Sequence, residues 1–277
     1  MEGGPVKKAI VISLAVGLGL GTAAASASSC EAATDKAQVS AVYPTADTLP
    51  ENLLRFYIYF SRPMQREDIL SSVYLADGNG NRLEGVFLDN RFDLWSPDST
   101  RLTLLFDPGR VKTGLVAHNA MGRALKPEQH YQLVVDTTAK DADGCGLGSN
   151  FRKAFEVTKA DYTAPDIDSW TISQPGKDSK DALAVDLNGP MDHVSLAYRI
   201  RVKAGTGQSV PGRIALAQQE QQWRFVPNQP WSHGPYQLVV NPVLEDVAGN
   251  RITGLFDQPS LARESTAQRL ISVPVSL

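Results

Sequence analysis

The sequence predicts an all-β protein in which two sandwich domains follow one another behind an N-terminal export segment. Three observations predict it. Short segments alternate apolar and polar residues with period two, as in "LRFYIYF" (54–60), where Phe56, Ile58 and Phe60 share one face and Arg55, Tyr57 and Tyr59 the other. Gly, Pro, Asp and Asn clusters punctuate these segments at the spacing of turns. The phrase "YQLVV" occurs twice, from Tyr131 and from Tyr236, each time followed by an acidic turn, "DADG" or "DVAG". A unit of roughly seven short strands that closes its own core is the pattern of an immunoglobulin-like sandwich.

The 277 residues leave room for two such domains. A net charge of −3 carries no excess that would favour nucleic acid or a membrane surface.

Taken in order, residues 1–29 read as a signal peptide. Lys7 and Lys8 precede the apolar, Gly- and Ala-rich "AIVISLAVGLGLGTAAASA", which closes on Ala25-Ser26-Ala27, an A-x-A-like cleavage site. Length alone would allow a transmembrane anchor. The second half of the run is Gly, Ala, Thr and Ser, however, and no basic stop-transfer cluster follows. Residues 30–37 form a leader. Cys30 has three readings: a lipid-anchor cysteine after a short small-residue run, a disulfide partner of Cys145 (the only other cysteine), or an unpaired thiol.

The first sandwich spans 38–160. "LRFYIYF", "RLTLLFD" and "YQLVVD" are half-buried strands, and "VYLADGNGNRLEG" is a hairpin about Asp77-Gly78-Asn79-Gly80-Asn81, whose residues tolerate positive φ. The second spans 161–277 and repeats the order. "LAVDL" answers "FYIYF", each followed by a Pro-Met pair, Pro63-Met64 and Pro190-Met191. "WRFVP" answers "TLLFDP", and "LISVPVSL" answers "FRKAFEV" as the closing strand. Order is kept while spacing varies, as connections tolerate and strands do not. The chain is therefore read as a tandem duplication, with "VTKADYTAPDIDSW" at the joint and an insertion at 112–126 in the first copy. No long helical pattern is present; "PEQ" and "SLARESTAQRL" suggest a turn or two at most.

"VYPTADTLPENLLRFYIYFSRPM", the middle hairpin, "TLLFDP" and then "YQLVV" with "DVAGN" together resemble the bacterial Ig-like domain family of the S-layer SbsA type. The match is fuller over 38–158 than over 166–277, where "DLNGPM" stands for "YFSRPM". The resemblance implies a β-sandwich module of exported or cell-surface proteins, a spacer or binding unit without catalytic residues.

Candidate chemistry is sparse. His118, His130, His193 and His233 show no metal-ligand spacing, and the leader offers no histidine for a copper site. The Asp77–Asn81 segment begins like a calcium loop but has Arg82 in place of glycine and Leu88 in place of the bidentate glutamate. No G-x-S-x-G or phosphate loop occurs. Paired carboxylates can be brought together only in space, and Asp89, Asp93 and Asp98 read as strand-edge and turn residues.

Tyr57, Tyr59 and Trp95 are the candidate contact residues. Outward aromatics could stack on sugars or meet a protein partner, or pack against the neighbouring domain or the 112–126 loop. The function expected is a non-enzymatic, envelope-associated binding or scaffolding module. It would need no cofactor, bind no nucleic acid and touch a membrane only through a lipid anchor at Cys30. Its partner would be a protein or polysaccharide of the cell envelope. A carbohydrate-binding protein and a hydrolase with an interdomain site are the alternatives.

Overall fold

The computed structural model describes residues 1, 30, 36–89, 94–113, 121–232, 234–257 and 269–273. The signal-peptide reading and the middle of the insertion (114–120) lie outside them, as does nearly all of "SLARESTAQRL". Among the described residues no helix is long and apolar enough to cross a membrane.

The strands are β1 (Val39–Tyr43), β2 (Thr48–Pro50), β3 (Arg55–Phe60), β4 (Val73–Asp77), β5 (Arg82–Leu83), β6 (Arg101–Leu105), β7 (His130–Val135) and β8 (Phe151–Thr158) in the first half. They make two sheets, ordered β1-β3-β6 and β2-β8-β7-β4-β5. All pairings are antiparallel except β2 with β8. The second half supplies β9 (Thr171–Ile172), β10 (Leu183–Asp186), β11 (Ile200–Ala204), β12 (Gly212–Ala217), β13 (Gln222–Pro227), β14 (Tyr236–Val240) and β15 (Arg269–Val273). These pair as β12-β13-β10-β9 and β11-β14-β15. The chain is two tandem immunoglobulin-like β-sandwiches.

The duplication is visible in the pairing. β4-β7-β8 corresponds to β11-β14-β15, and β3-β6 to β10-β13. The Pro-Met pair and the acidic turn, separate in sequence, touch in both copies: Met64 bridges Asp141 and Met191 bridges Asp246. Both methionines and both aspartates are buried. Each aspartate binds its own turn, Asp141 Oδ1 accepting from the Asp143 and Cys145 amides and Asp246 Oδ1 from those of Ala248 and Asn250. The repeated tyrosine has a repeated reason as well. The Tyr131 hydroxyl accepts from the Lys126 amide at 3.1 Å and the Tyr236 hydroxyl from the Ser232 amide at 3.0 Å. Each pins the strand to the backbone just upstream, as in the tyrosine corner of Ig-like folds.

The alternation of β3 is realised as read. Phe56, Ile58 and Phe60 point into the first core, where Phe56 meets Phe106, just beyond β6 in its own sheet, and Phe155 of β8 across the sandwich. The hairpin forms at Asp77, whose carboxylate accepts from the Asn79 and Asn81 amides. Trp223, Leu183, Leu238 and Trp231 centre the second core. Burying each such side chain contributes on the order of 1.5–3 kcal/mol.

Two features differ from the expectation. A helix at His193–Arg199 follows the second Pro-Met pair, started by Asp192, whose side chain accepts from the Ser195 amide. A run so short has too few residues to show a helical period. The cores are also not independent. Val247 belongs to the first core and Phe256 packs against it, although both come from the second half of the chain. From Lys36 onward the protein is one compact unit.

Candidate functional site: the junction of the two sandwiches

The outward face of β1-β3-β6 is the candidate site, because it holds Tyr57 and Tyr59 and faces the second sandwich. Period two puts Arg55, Tyr57 and Tyr59 on that face, while β1 adds Tyr43 through its register with β3. Opposite stand the start of the 193–199 helix and the turn following β14.

The centre is ionic. The Arg55 guanidinium reaches Glu245 at 2.6 Å and Asp192 at 3.6 Å. The Tyr57 hydroxyl lies 3.0 and 3.1 Å from the two Asp192 oxygens and donates to that carboxylate. Asp192 is therefore shared: it caps its own helix and holds a strand of the other sandwich. Burial pushes its carboxyl upward, and Arg55 opposes that shift. Burial, and then the Asp192 charge, push the Tyr57 hydroxyl up as well. Tyr57 stays a neutral donor across the physiological range.

A second polar contact lies beside it. Glu220, 3% exposed, accepts from the Thr45 amide at 2.7 Å and the Thr45 hydroxyl at 2.9 Å. Lys153 Nζ holds the Thr45 and Ala46 carbonyls from the other side. Burial raises the Glu220 carboxyl, and the Thr45 hydrogen bonds work against the rise.

The connecting segment is clamped by both halves. The Asp161 carbonyl accepts from Asn52 Nδ2 at 2.8 Å and Asn250 Nδ2 at 3.0 Å, and the Asp161 amide donates to Asn52 Oδ1. The Leu54 amide donates to the Val247 carbonyl at 3.0 Å. Gly249 stands at this contact with φ +81°, and a Cβ there would come within 2.7 Å of Leu54 Cδ2. Only glycine meets both demands.

Aromatic packing completes the junction. His193 stacks on Tyr43 with centroids 3.4 Å apart and meets Tyr59 edge-on at 6.0 Å. Burial, assisted by the Arg101 charge, lowers the His193 imidazole to about 4. The unfolded chain, with an ordinary value near 6.5, takes up that proton first as pH falls. The stability that His193 contributes is thus complete above about pH 6.5 and is lost as pH drops towards 4. Urea midpoints of the protein and of His193→Gln, measured between pH 7 and 4, are expected to converge at the acid end. Parallel curves would refute this.

Trp95 sits elsewhere. It is 7% exposed in the first core, against Phe60 at 5.7 Å, and offers no outward platform. Cys145 is buried, and among the described residues neither cysteine is a free thiol. His130 opens β7, away from the junction, while His118 and His233 lie outside the described residues. Among the described residues no cluster of His, Cys, Asp and Glu could hold a metal ion. Asp98 closes a turn on Ser96 and Thr100.

No protein-family model matches this chain, and no curated protein is detectably similar to it in sequence. Solved structures align loosely. The MG0-NIE-MG1 portion of Escherichia coli alpha-2-macroglobulin shares 14% identity over 88% of this chain and 73% of that one, with a TM-score of 0.29. Against the native conformation of the same E. coli protein the chain covers only 13% of the length. The S-layer protein rSbsC aligns at 13% identity over 87% of this chain and 26% of that one, TM-score 0.30. The titin Ig tandem A164-A165 aligns at 9% identity over 87% and 98%, TM-score 0.25. Likenesses so loose carry no function, and the sandwich assignment stands on the strand order.

Sequence reading marked Tyr57 and Tyr59 but missed Asp192, Glu220, Glu245 and Asp161. The only local signal was Arg55 on the same outward face. Its partners lie more than a hundred residues away, beyond any periodicity. The junction leaves an open hollow of about 410 Å³, lined by Arg55 and Tyr57 from one side and by Asp192, Tyr198, Arg199 and Glu245 from the other. Two carboxylates do face this hollow, but both are held by Arg55.

Proposed function

We propose that the chain is an exported, non-enzymatic module of the cell envelope, in which two SbsA-type Ig-like copies, 38–160 and 161–277, act as one preset spacer or scaffold. The observation that supports this is the use of the outward sheet face. Tyr57, which could have served a free partner, is 4% exposed and spent on Asp192 of the second copy. A buried polar lock of this kind fixes the relative orientation of two modules, because any other arrangement takes Tyr57 and Arg55 from Asp192 and Thr45 from Glu220. Residues 1–29 direct export in this reading, and Cys30, close to the start of the mature chain, is bridged to Cys145.

Expression of the full chain in a bacterium, with fractionation and mass spectrometry of the mature N-terminus, tests it. The expected product lies in the envelope fraction, starts near Cys30 and carries no free thiol. An uncleaved cytoplasmic chain, or a lipid on Cys30, would contradict the corresponding part. Gentle pull-down from envelope extracts is expected to retain an envelope protein or polysaccharide on the mature chain. Recovery of nothing counts against the scaffold.

A further inference from the structure

The hollow at the junction has an imbalance that the lock does not use. Five charged groups line it: Arg55, Arg199 and Arg251 against Asp192 and Glu245. Both carboxylates are already committed. Glu245 gives one oxygen to Arg55 at 2.6 Å and the other to Arg251 Nε at 3.4 Å. Asp192 serves the Tyr57 hydroxyl, the Ser195 amide and Arg55. Among the described residues Arg199 makes no side-chain hydrogen bond or ion pair, and the Nη groups of Arg251 make none either. One full positive charge and two guanidinium forks are left facing open space.

Tyr198 stands beside Arg199 on the same lining, and the residue is 62% exposed, against 4% for Tyr57. Val194 and Val243 supply apolar surface between the charged groups. A large exposed ring next to unmatched guanidinium groups fits a ligand that has both an apolar face and a carboxylate. A guanidinium binds a carboxylate in two parallel hydrogen bonds, and an aromatic face packs on the C–H face of a sugar ring.

We propose that this hollow is a binding subsite for an acidic saccharide, with Arg199 and Arg251 taking the uronate carboxylate and Tyr198 the ring. The subsite does not depend on the chain being a scaffold or on its export. It needs only the junction geometry, since Arg55 and the 193–199 helix come from different sandwiches. A site of this openness is expected to bind weakly, with repeats along a polysaccharide raising the apparent affinity.

The test is isothermal titration of the full mature chain with oligogalacturonate, with the matching neutral galactan and with inorganic phosphate. Saturable binding of oligogalacturonate alone is expected. Arg199→Gln should weaken it at least tenfold and Tyr198→Ala severalfold, with thermal midpoints unchanged because both side chains are exposed. Equal binding of the galactan would remove the role of the carboxylate. Equal binding of phosphate, or indifference to Tyr198→Ala, would reduce the hollow to a generic anion contact and overturn the proposal. So would the absence of binding to all three probes.

Discussion

Replacing Arg55 by alanine is expected to lower the unfolding free energy of the whole chain by about 3–5 kcal/mol, the range for breaking a buried ion pair from one side. The side chains of Arg55 and Asp192 are only 19% and 5% exposed, so water from the adjoining hollow replaces the lost partner incompletely. Asp192 would keep the Tyr57 hydroxyl and the Ser195 amide but lose its cation, and Glu245 would lose its 2.6 Å contact. Urea titration followed by tryptophan fluorescence reads the loss. The paired substitution Arg55→Met with Asp192→Asn separates mechanism from packing. Removing both charges together should cost much less than removing one, because buried pairs are often replaceable by apolar groups. A single-site loss below about 1 kcal/mol would mean that water already screens the pair.

The second large effect is expected from Trp223→Ala. Trp223 is fully buried in the second core and stacks on Phe225 at 5.9 Å. Truncating a buried tryptophan costs about 3–5 kcal/mol through lost transfer energy and the cavity left behind. The more informative part is where the loss is felt. Val247 and Phe256 carry part of the second half into the first core, and the main-chain bond from Leu54 to Val247 joins the same region. Loosening the second core should therefore lower the melting of the first. Amide exchange of β3 and β7 reports this directly. Unchanged protection in β3 and β7 would show that the cores are separate.

The fold was legible because its signals are local. Alternation along β3, the Asp77 hairpin and the repeated "YQLVV" each need only a few neighbouring residues, and each is present as read. The pairing of Met64 with Asp141 and of Met191 with Asp246 was half legible: both motifs recur, but nothing in the chain says that they touch. The 193–199 helix escaped because its signal is an N-cap at Asp192 on a segment too short for a period. The junction escaped for a different reason. Arg55 and Tyr57 could be placed on an outward face, but their complements Asp192, Glu220 and Glu245 are ordinary acidic residues near turns. Only the closed structure distinguishes an acidic residue on a turn from one buried against an arginine. The independence of the cores was the costliest misreading, since Val247 lies in a turn phrase, "DVAG", that keeps the Asp and Gly of "DADG" yet packs into the other sandwich.

Scanning calorimetry of the mature full chain tests most directly whether the two sandwiches behave as one locked body. One transition is expected, with calorimetric and van't Hoff enthalpies equal, and it should split in two or turn asymmetric when Arg55 is replaced. Two resolved transitions in the unaltered protein, of which Arg55→Ala moves neither, would contradict the account.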